Sequence, residues 1–200
     1  MQGTALRVAA GRTVAPRRHR EDPQAHPAGP DAQGSTGTSV TADIIRIEPG
    51  DPGDPAFARL HEALDRELGE LYPADSIYSV EPDKLDAPGC CLLLGRSAGG
   101  EAIACGALRR LSAEQAEIKR MYVVPEYRGQ SLGRRILEEL EARAAAFGYR
   151  SLRLETGERQ PAAIGLYRSF GYVQIPCYNE YAYDPHSLCF EKKLEAQRKS

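Results

Sequence analysis

The stretch Glu117-Ile-Lys-Arg-Met-Tyr-Val-Val-Pro-Glu-Tyr-Arg-Gly-Gln-Ser-Leu-Gly133 holds residue types that could do chemistry together. It reads as a strand, a short glycine-bearing turn and the start of a long amphipathic helix. Backbone N–H groups at such a helix start have no partner within the helix, and they suit a phosphate or pyrophosphate. A turn that holds glycine for ordinary steric reasons would look the same, so both readings stand on the pattern alone. The strand alternates, with Glu117, Lys119, Met121 and Val123 on one side and Ile118, Arg120 and Tyr122 on the other. Its polar members require part of it to face a cleft. Two further segments could wall that cleft. One is the proline-rich loop carrying Tyr72, Asp75, Tyr78 and Glu81, and the other is the aromatic run Tyr178-Asn-Glu-Tyr-Ala-Tyr183.

The flanking elements must position these groups. Ile44–Ile47 predicts a first strand, stopped by Pro49-Gly-Asp-Pro52. Phe57, Leu60, Leu64, Leu68 and Leu71 recur at helical spacing and give one buried stripe. Asp54-Pro55 supplies its N-cap and first-turn proline, and His61 sits at the edge of the stripe. Residues 72–89 form a loop, of the kind that often binds ligands in compact domains. Strands Cys90–Arg96 and Ala102–Leu108 flank the hairpin turn Ser97–Gly100, and Ala116–Val124 is the pivotal strand, closed by Pro125. From Ser131 a helix places Leu132, Ile136, Leu137, Leu140, Ala144 and Phe147 on one face and ends at Gly148. Ser151–Glu155 should be a strand parallel to the pivotal one, because a full helix separates them. A short helix from Pro161 turns Ile164, Tyr167 and Phe170 inward. Tyr172–Cys177 and Ser187–Lys193 are the last two strands. The order β-α-loop-βββ-α-β-α-ββ predicts a single α/β domain, with a mixed central sheet covered by helices.

Composition narrows the classes. The 200 residues carry 27% charged side chains and a formal net charge of −2, which gives no support for a nucleic-acid partner. The longest apolar run, Cys90–Leu94, is strand-sized, so no membrane span is expected. Five cysteines, an odd count without a CxxC pair, are expected as free thiols in a reducing, cytoplasmic setting. No Cys/His cluster has zinc spacing, so no metal is expected. Residues 1–40, rich in Gly, Pro, Ala, Gln, Ser and Thr, are expected to be a disordered extension. The folded domain then spans 41–195, and 196–200 form a polar tail.

With these residues in this order, the chain resembles the GNAT superfamily of acetyl-CoA-dependent N-acetyltransferases, over roughly residues 43–194. The family's phosphate signature lies on Arg128-Gly-Gln-Ser-Leu-Gly133, after the strand exit Val123–Tyr127. Ser131 replaces the first family glycine, which should be tolerated provided that position is not at positive φ. The second landmark lies on Gln160–Tyr172: Gln160 stands for an asparagine and Tyr172 for a phenylalanine, while Ala163, Leu166, Tyr167 and Gly171 match.

The resemblance implies roles. Acetyl-CoA would be the acyl donor, held by Met121, Tyr122 and Val123 along its arm and by Arg128, Gly129, Gln130, Ser131, Leu132, Gly133 and Arg134 around its pyrophosphate, with Gln160 nearby. Glu117 would be the general base, or else an ion-pair partner of Lys119, Arg109 or Arg120. Tyr167 would be the acid that protonates the departing thiolate, or else an inward-packing aromatic. Tyr78, Glu180 and Tyr181 would contact the acceptor, and a wall of tyrosines and carboxylates would favour a cationic amine. Cys177 is read as packing. The acceptor would be a small-molecule primary amine; the alternatives are a protein N-terminus or lysine, or a CoA-binding module without catalysis. A homodimer is left open.

Overall fold

The computed structural model describes residues 45–80 and 82–195. The expected disordered extension at 1–40, the start of the first strand at Ile44, Glu81 and the tail at 196–200 lie outside the described residues. The elements are β1 (Arg46–Gly50), α1 (Pro55–Leu71), β2 (Cys91–Arg96), β3 (Ala102–Arg110), β4 (Gln115–Val123), α2 (Leu132–Ala146), β5 (Ser151–Gly157), α3 (Pro161–Ser169), β6 (Val173–Ile175) and β7 (Ser187–Lys193). They form one seven-stranded sheet in the order β1-β2-β3-β4-β5-β7-β6. Every neighbouring pair is antiparallel except β4–β5, which is parallel as the intervening helix demands.

Local chemistry accounts for the boundaries. Asp54 caps α1 by accepting from the Ala56 N–H at 2.7 Å, with Pro55 in the first turn. Gly148 and Gly171, at φ 87° and 83°, end the turns after α2 and α3. β1 differs from its sequence reading: it runs through Pro49 to Gly50 instead of stopping before them. Proline is tolerated there because β1 is an edge strand whose missing N–H deprives no neighbour. Phe147 also departs from expectation, lying half exposed beyond the end of α2.

Two apolar layers cover the sheet. On one face, α1 lays Phe57, Leu60 and Leu64 over Leu92, Leu94, Cys105 and Tyr122. On the other, α2 packs Ile136, Leu137 and Leu140 onto Leu93, Ile103, Ile118, Leu152 and Phe190. Each such buried aliphatic contributes about 1.5–3 kcal/mol relative to exposure.

The pivotal strand departs from simple alternation. Its register with β3 runs Ala104↔Val123 and Cys105↔Tyr122, then resumes at Ala107↔Lys119, so β4 holds one extra residue. Arg120 is that bulge, at φ 55°. Ala116 and Ile118 before it, and Met121 and Val123 after it, all join the α2 layer, whereas Tyr122 joins the α1 layer. Glu117 and Lys119 therefore do not share a face with Met121 and Val123, which corrects the expected alternation. Gly106, opposite the bulge, makes the close approach possible: a Cβ there would stand 2.6 Å from Ile136 Cγ2 and 2.8 Å from Met121 Sδ.

Candidate active site

Pairing between β4 and β5 runs from Gln115↔Ser151 to Ile118↔Leu154 and then stops, although both strands continue. Beyond that last pair they part, and two recesses open between them. The larger is a groove of about 580 Å³, bordered by Met121–Val123, by the turn between β4 and α2 and by the start of α3. Every residue expected at the donor site except Gln130 lines it. The first backbone bond of α2 is Arg135 N–H to Ser131 O at 3.1 Å. Backbone N–H groups from Gly129 to Arg134 meet no backbone acceptor among the described residues, leaving an array of donors at the positive end of a helix.

Individual side chains around that groove differ from the simple picture. Ser131 sits at φ 60°, in the left-handed region, so the condition placed on its replacing glycine is not met. Arg128 is already engaged: Nη2 bonds both carboxylate oxygens of Glu67 at 2.7 Å, Nε bonds Val123 O, and the guanidinium lies over the Tyr122 ring. Arg134 lies over Phe170 and donates to Ser169. Gln160 Oε1 accepts from Thr156 Oγ1 and the Gly157 N–H, both at 3.0 Å, which fixes the end of β5. Gly157 is needed there, because an added Cβ would fall 2.2 Å from the Tyr72 ring.

The smaller recess, about 90 Å³, is walled by Tyr78, Lys119, Arg120, Glu155, Asp184 and Tyr167 among others. Tyr167, Met121, Gln160 and Ala163 line both recesses, so Tyr167 stands where they join. Burial, with Glu155 adding to it, pushes the Tyr167 hydroxyl well above its ordinary pKa, so it holds its proton. Burial likewise raises Glu155, against the Ser187 hydroxyl that donates to Oε1 at 2.7 Å and against the charge of Lys119. Lys119 is lowered by burial, and its Nζ donates to Tyr181 Oη at 2.6 Å and to Tyr78 O at 3.2 Å. Tyr78 donates to Asp184 Oδ2 at 3.0 Å and is pushed up to about 12, by burial first and then by that bond.

Other expected acceptor and catalytic residues fall elsewhere. The Glu117 side chain is fully buried and lines neither recess. Arg109 Nε donates to its Oε2 at 2.8 Å and Tyr178 Oη donates to its Oε1 at 2.9 Å. Glu180 is tied to Arg109 at 3.0 Å, away from both recesses. Tyr181 is fully buried behind Lys119, and Tyr183 is almost wholly exposed. These rings therefore build no open cage for a cation, contrary to the expected wall. Cys177 and Cys189 form a disulfide with a Cα–Cα distance of 5.0 Å, correcting the expectation of five free thiols; Cys90, Cys91 and Cys105 are free. Among the described residues, no group of His, Cys, Asp and Glu could hold a metal ion, and no helix is long and apolar enough to cross a membrane.

Sequence reasoning missed Glu155 as a cleft residue and, although it required the polar β4 strand to face a cleft in part, gave Lys119 and Arg120 no role there. For Glu155 a signal existed, since it ends the strand parallel to β4 and open α/β sheets bind ligands at the carboxyl ends of such strands. Lys119 and Arg120 depend on the bulge.

Known proteins resemble this chain in sequence and fold. The profile of the Acetyltransferase (GNAT) family matches residues 57–172. An IAA acetyltransferase of Azospirillum brasilense is 39% identical over 151 residues, spanning 75% of this chain and 98% of that protein. A Klebsiella pneumoniae structure described as an acyl-CoA N-acyltransferase superposes with a TM-score of 0.65 at 36% identity, covering 76% of this chain and 99% of its own. A GNAT acetyltransferase of Elizabethkingia anophelis, solved with acetyl-CoA bound, shares the fold at 20% identity, with a TM-score of 0.54 and coverage of 75% and 98%.

Proposed function

Because the chain belongs to the acetyltransferase (GNAT) family, we propose that it moves the acetyl group of acetyl-CoA onto the primary amine of a small molecule, in the cleft between β4 and β5. One observation carries this reading: a donor-sized groove and a small polar recess meet at Tyr167, with Glu155 in the smaller one. The donor fits the groove, whose rim presents unpaired N–H groups from Gly129 to Arg134 to a pyrophosphate. Acetyl-CoA supplies an acyl thioester, activated for attack by an amine.

The chain's own residues supply the proton handling. An amine with an ordinary pKa near ~10.4 reaches neutral water protonated and must lose that proton before it attacks. We assign this step to Glu155, whose raised pKa makes it a better proton acceptor than an ordinary carboxylate. Glu117, first expected in that role, instead holds Arg109 and Tyr178 beneath the acceptor segment. Tyr167 keeps its proton at neutral pH, and we assign to it the protonation of the leaving sulfur, its oxygen then taking the second proton that the nitrogen sheds as the amide forms. The proposal includes a cytoplasmic setting, in which the Cys177–Cys189 bridge is open to reduction.

Free-thiol detection of turnover tests the reading. Tyr167→Phe and Glu155→Gln should each lower kcat by roughly 10²–10⁴-fold, the usual contribution of a positioned acid or base. Gly133→Trp should abolish acetyl-CoA binding in calorimetry, since the Cβ of residue 133 faces Leu166 and Val123 across the groove. Full turnover by both proton-transfer variants would defeat the mechanism, and unaltered binding by Gly133→Trp would defeat the donor site.

A further inference from the structure

Arg120 carries two oddities at one residue. It occupies the left-handed region at φ 55° without being glycine, and its side chain is only 3% exposed. Its Nη1 bonds Asp65 Oδ1 at 2.5 Å, yet Nε and Nη2 are buried and meet no acceptor among the described residues. A buried guanidinium with half of its donor edge unused is costly, because those N–H groups gave up water for nothing. Its counter-ion is also shared: Asp65 accepts from Ser79 at 3.0 Å and lies 3.4 Å from His61 Nε2.

Lys119, the next residue, is also buried and bonds only neutral oxygens, those of Tyr78 and Tyr181. Among the described residues it forms no salt bridge. Both cations line the small recess that contains Glu155 and Tyr167. Asp184, the other carboxylate of that wall, is occupied by the Tyr78 hydroxyl and the His186 N–H. The recess thus brings two buried cations beside Glu155, and the Nε/Nη2 edge of Arg120 is left without an acceptor among the described residues.

We propose that the acceptor amine also carries a carboxylate, which docks on the Nε/Nη2 edge of Arg120 beside Lys119. The acceptor is then an amino acid or a similarly compact amino-carboxylate, and its amine is the group presented to Glu155. The planar edge formed by Nε and Nη2 matches the two oxygens of a carboxylate, which favours that anion over a bulkier tetrahedral one in a recess of about 90 Å³. Both nitrogens are closed to water in this structure, so engagement requires the Arg120 side chain to move. This inference rests on the acetyl-transfer reading and replaces the cationic acceptor expected from the tyrosines.

The test is a turnover screen by free-thiol release on matched triplets: an amino acid, its carboxamide, and the amine lacking the carboxyl group. Wild type should show kcat/KM for the acid form about 100-fold above the other two, the scale set by leaving a buried charge unpaired. Arg120→Lys and Arg120→Met should collapse that ratio towards one, chiefly through acceptor KM, with acetyl-CoA affinity by calorimetry as the check on folding. The wild-type ratio stands as a test by itself if neither variant folds. Acetylation of amines with no preference for the acid form, or a preference that survives both variants, overturns this inference and leaves acetyl transfer intact. Absence of thiol release with every amine overturns both.

Discussion

Replacing Ser131 by glycine should stabilise the protein while leaving acetyl-CoA affinity unchanged. Ser131 is the N-cap of α2 at φ 60° and ψ 13°, and its hydroxyl makes no capping bond. The residue therefore bears the steric cost of the left-handed region, about 1–2 kcal/mol for an L-residue, with no compensating contact from its side chain. Glycine removes that cost but loses more chain entropy on folding, about 0.5–1 kcal/mol. The difference leaves a net gain of about 0.5–1 kcal/mol, or roughly 1–4 °C in Tm for a domain of this size. The backbone N–H that faces the groove is retained, so the donor array is unaltered. Thermal unfolding of wild type, Ser131→Gly and Ser131→Ala, each followed by calorimetry with acetyl-CoA, separates the causes. Alanine keeps the strain and should not exceed wild type. A glycine variant at or below the wild-type Tm, or an alanine variant that rises equally, would refute the argument.

Three more outcomes follow from the cleft. Glu155 has its pKa raised on folding, so its contribution to stability is present at acid pH and is lost as pH rises through the raised value. Glu155→Gln should therefore gain Tm over wild type near pH 7, with the gain shrinking towards pH 4, while wild-type kcat/KM falls over the same descent. A gain that grows on acidification would contradict the assignment. Reduction of Cys177–Cys189 should raise acceptor KM and spare donor affinity, because the bridge ties the start of the Tyr178–Asp184 segment to β7; unchanged KM with reduction verified by mass would show that the bridge does not hold the pocket. Gly157→Ala should cost roughly 1–3 kcal/mol in denaturant unfolding by overpacking, since the new Cβ displaces the Tyr72 side chain, whose hydroxyl accepts from the Arg159 N–H at 2.7 Å. Tyr72→Leu in the same chain should recover part of that loss, and no recovery would place the cost elsewhere.

The order of elements and the turn into α2 were legible because each rests on local signals. Asp54-Pro55 starts a helix wherever it precedes an apolar stripe, and a turn into a helix start leaves N–H groups without backbone partners, here from Gly129 to Arg134. The acceptor half was not legible, and a single inserted residue explains why. Alternation along Glu117–Val123 looks regular in one dimension, and only pairing with β3 exposes the extra residue at Arg120. The nearest hint lay on the neighbouring strand, where Gly106 is the glycine that lets Met121 and Ile136 close over the bulge. Once Arg120 is inserted, the alternation slips by one residue and every later side chain changes sides. Met121 and Val123 then turn to the α2 layer and border the donor groove, while Lys119 and Arg120 bring their charge to the small recess. The same residue lies two beyond the last β4–β5 pair, at Ile118, so one irregularity accompanies both the opening of the cleft and its charge. Removing Arg120 altogether should then restore continuous alternation, draw β4 towards β5 and abolish donor binding as well as acceptor choice. Substituting its side chain alone should change only the second.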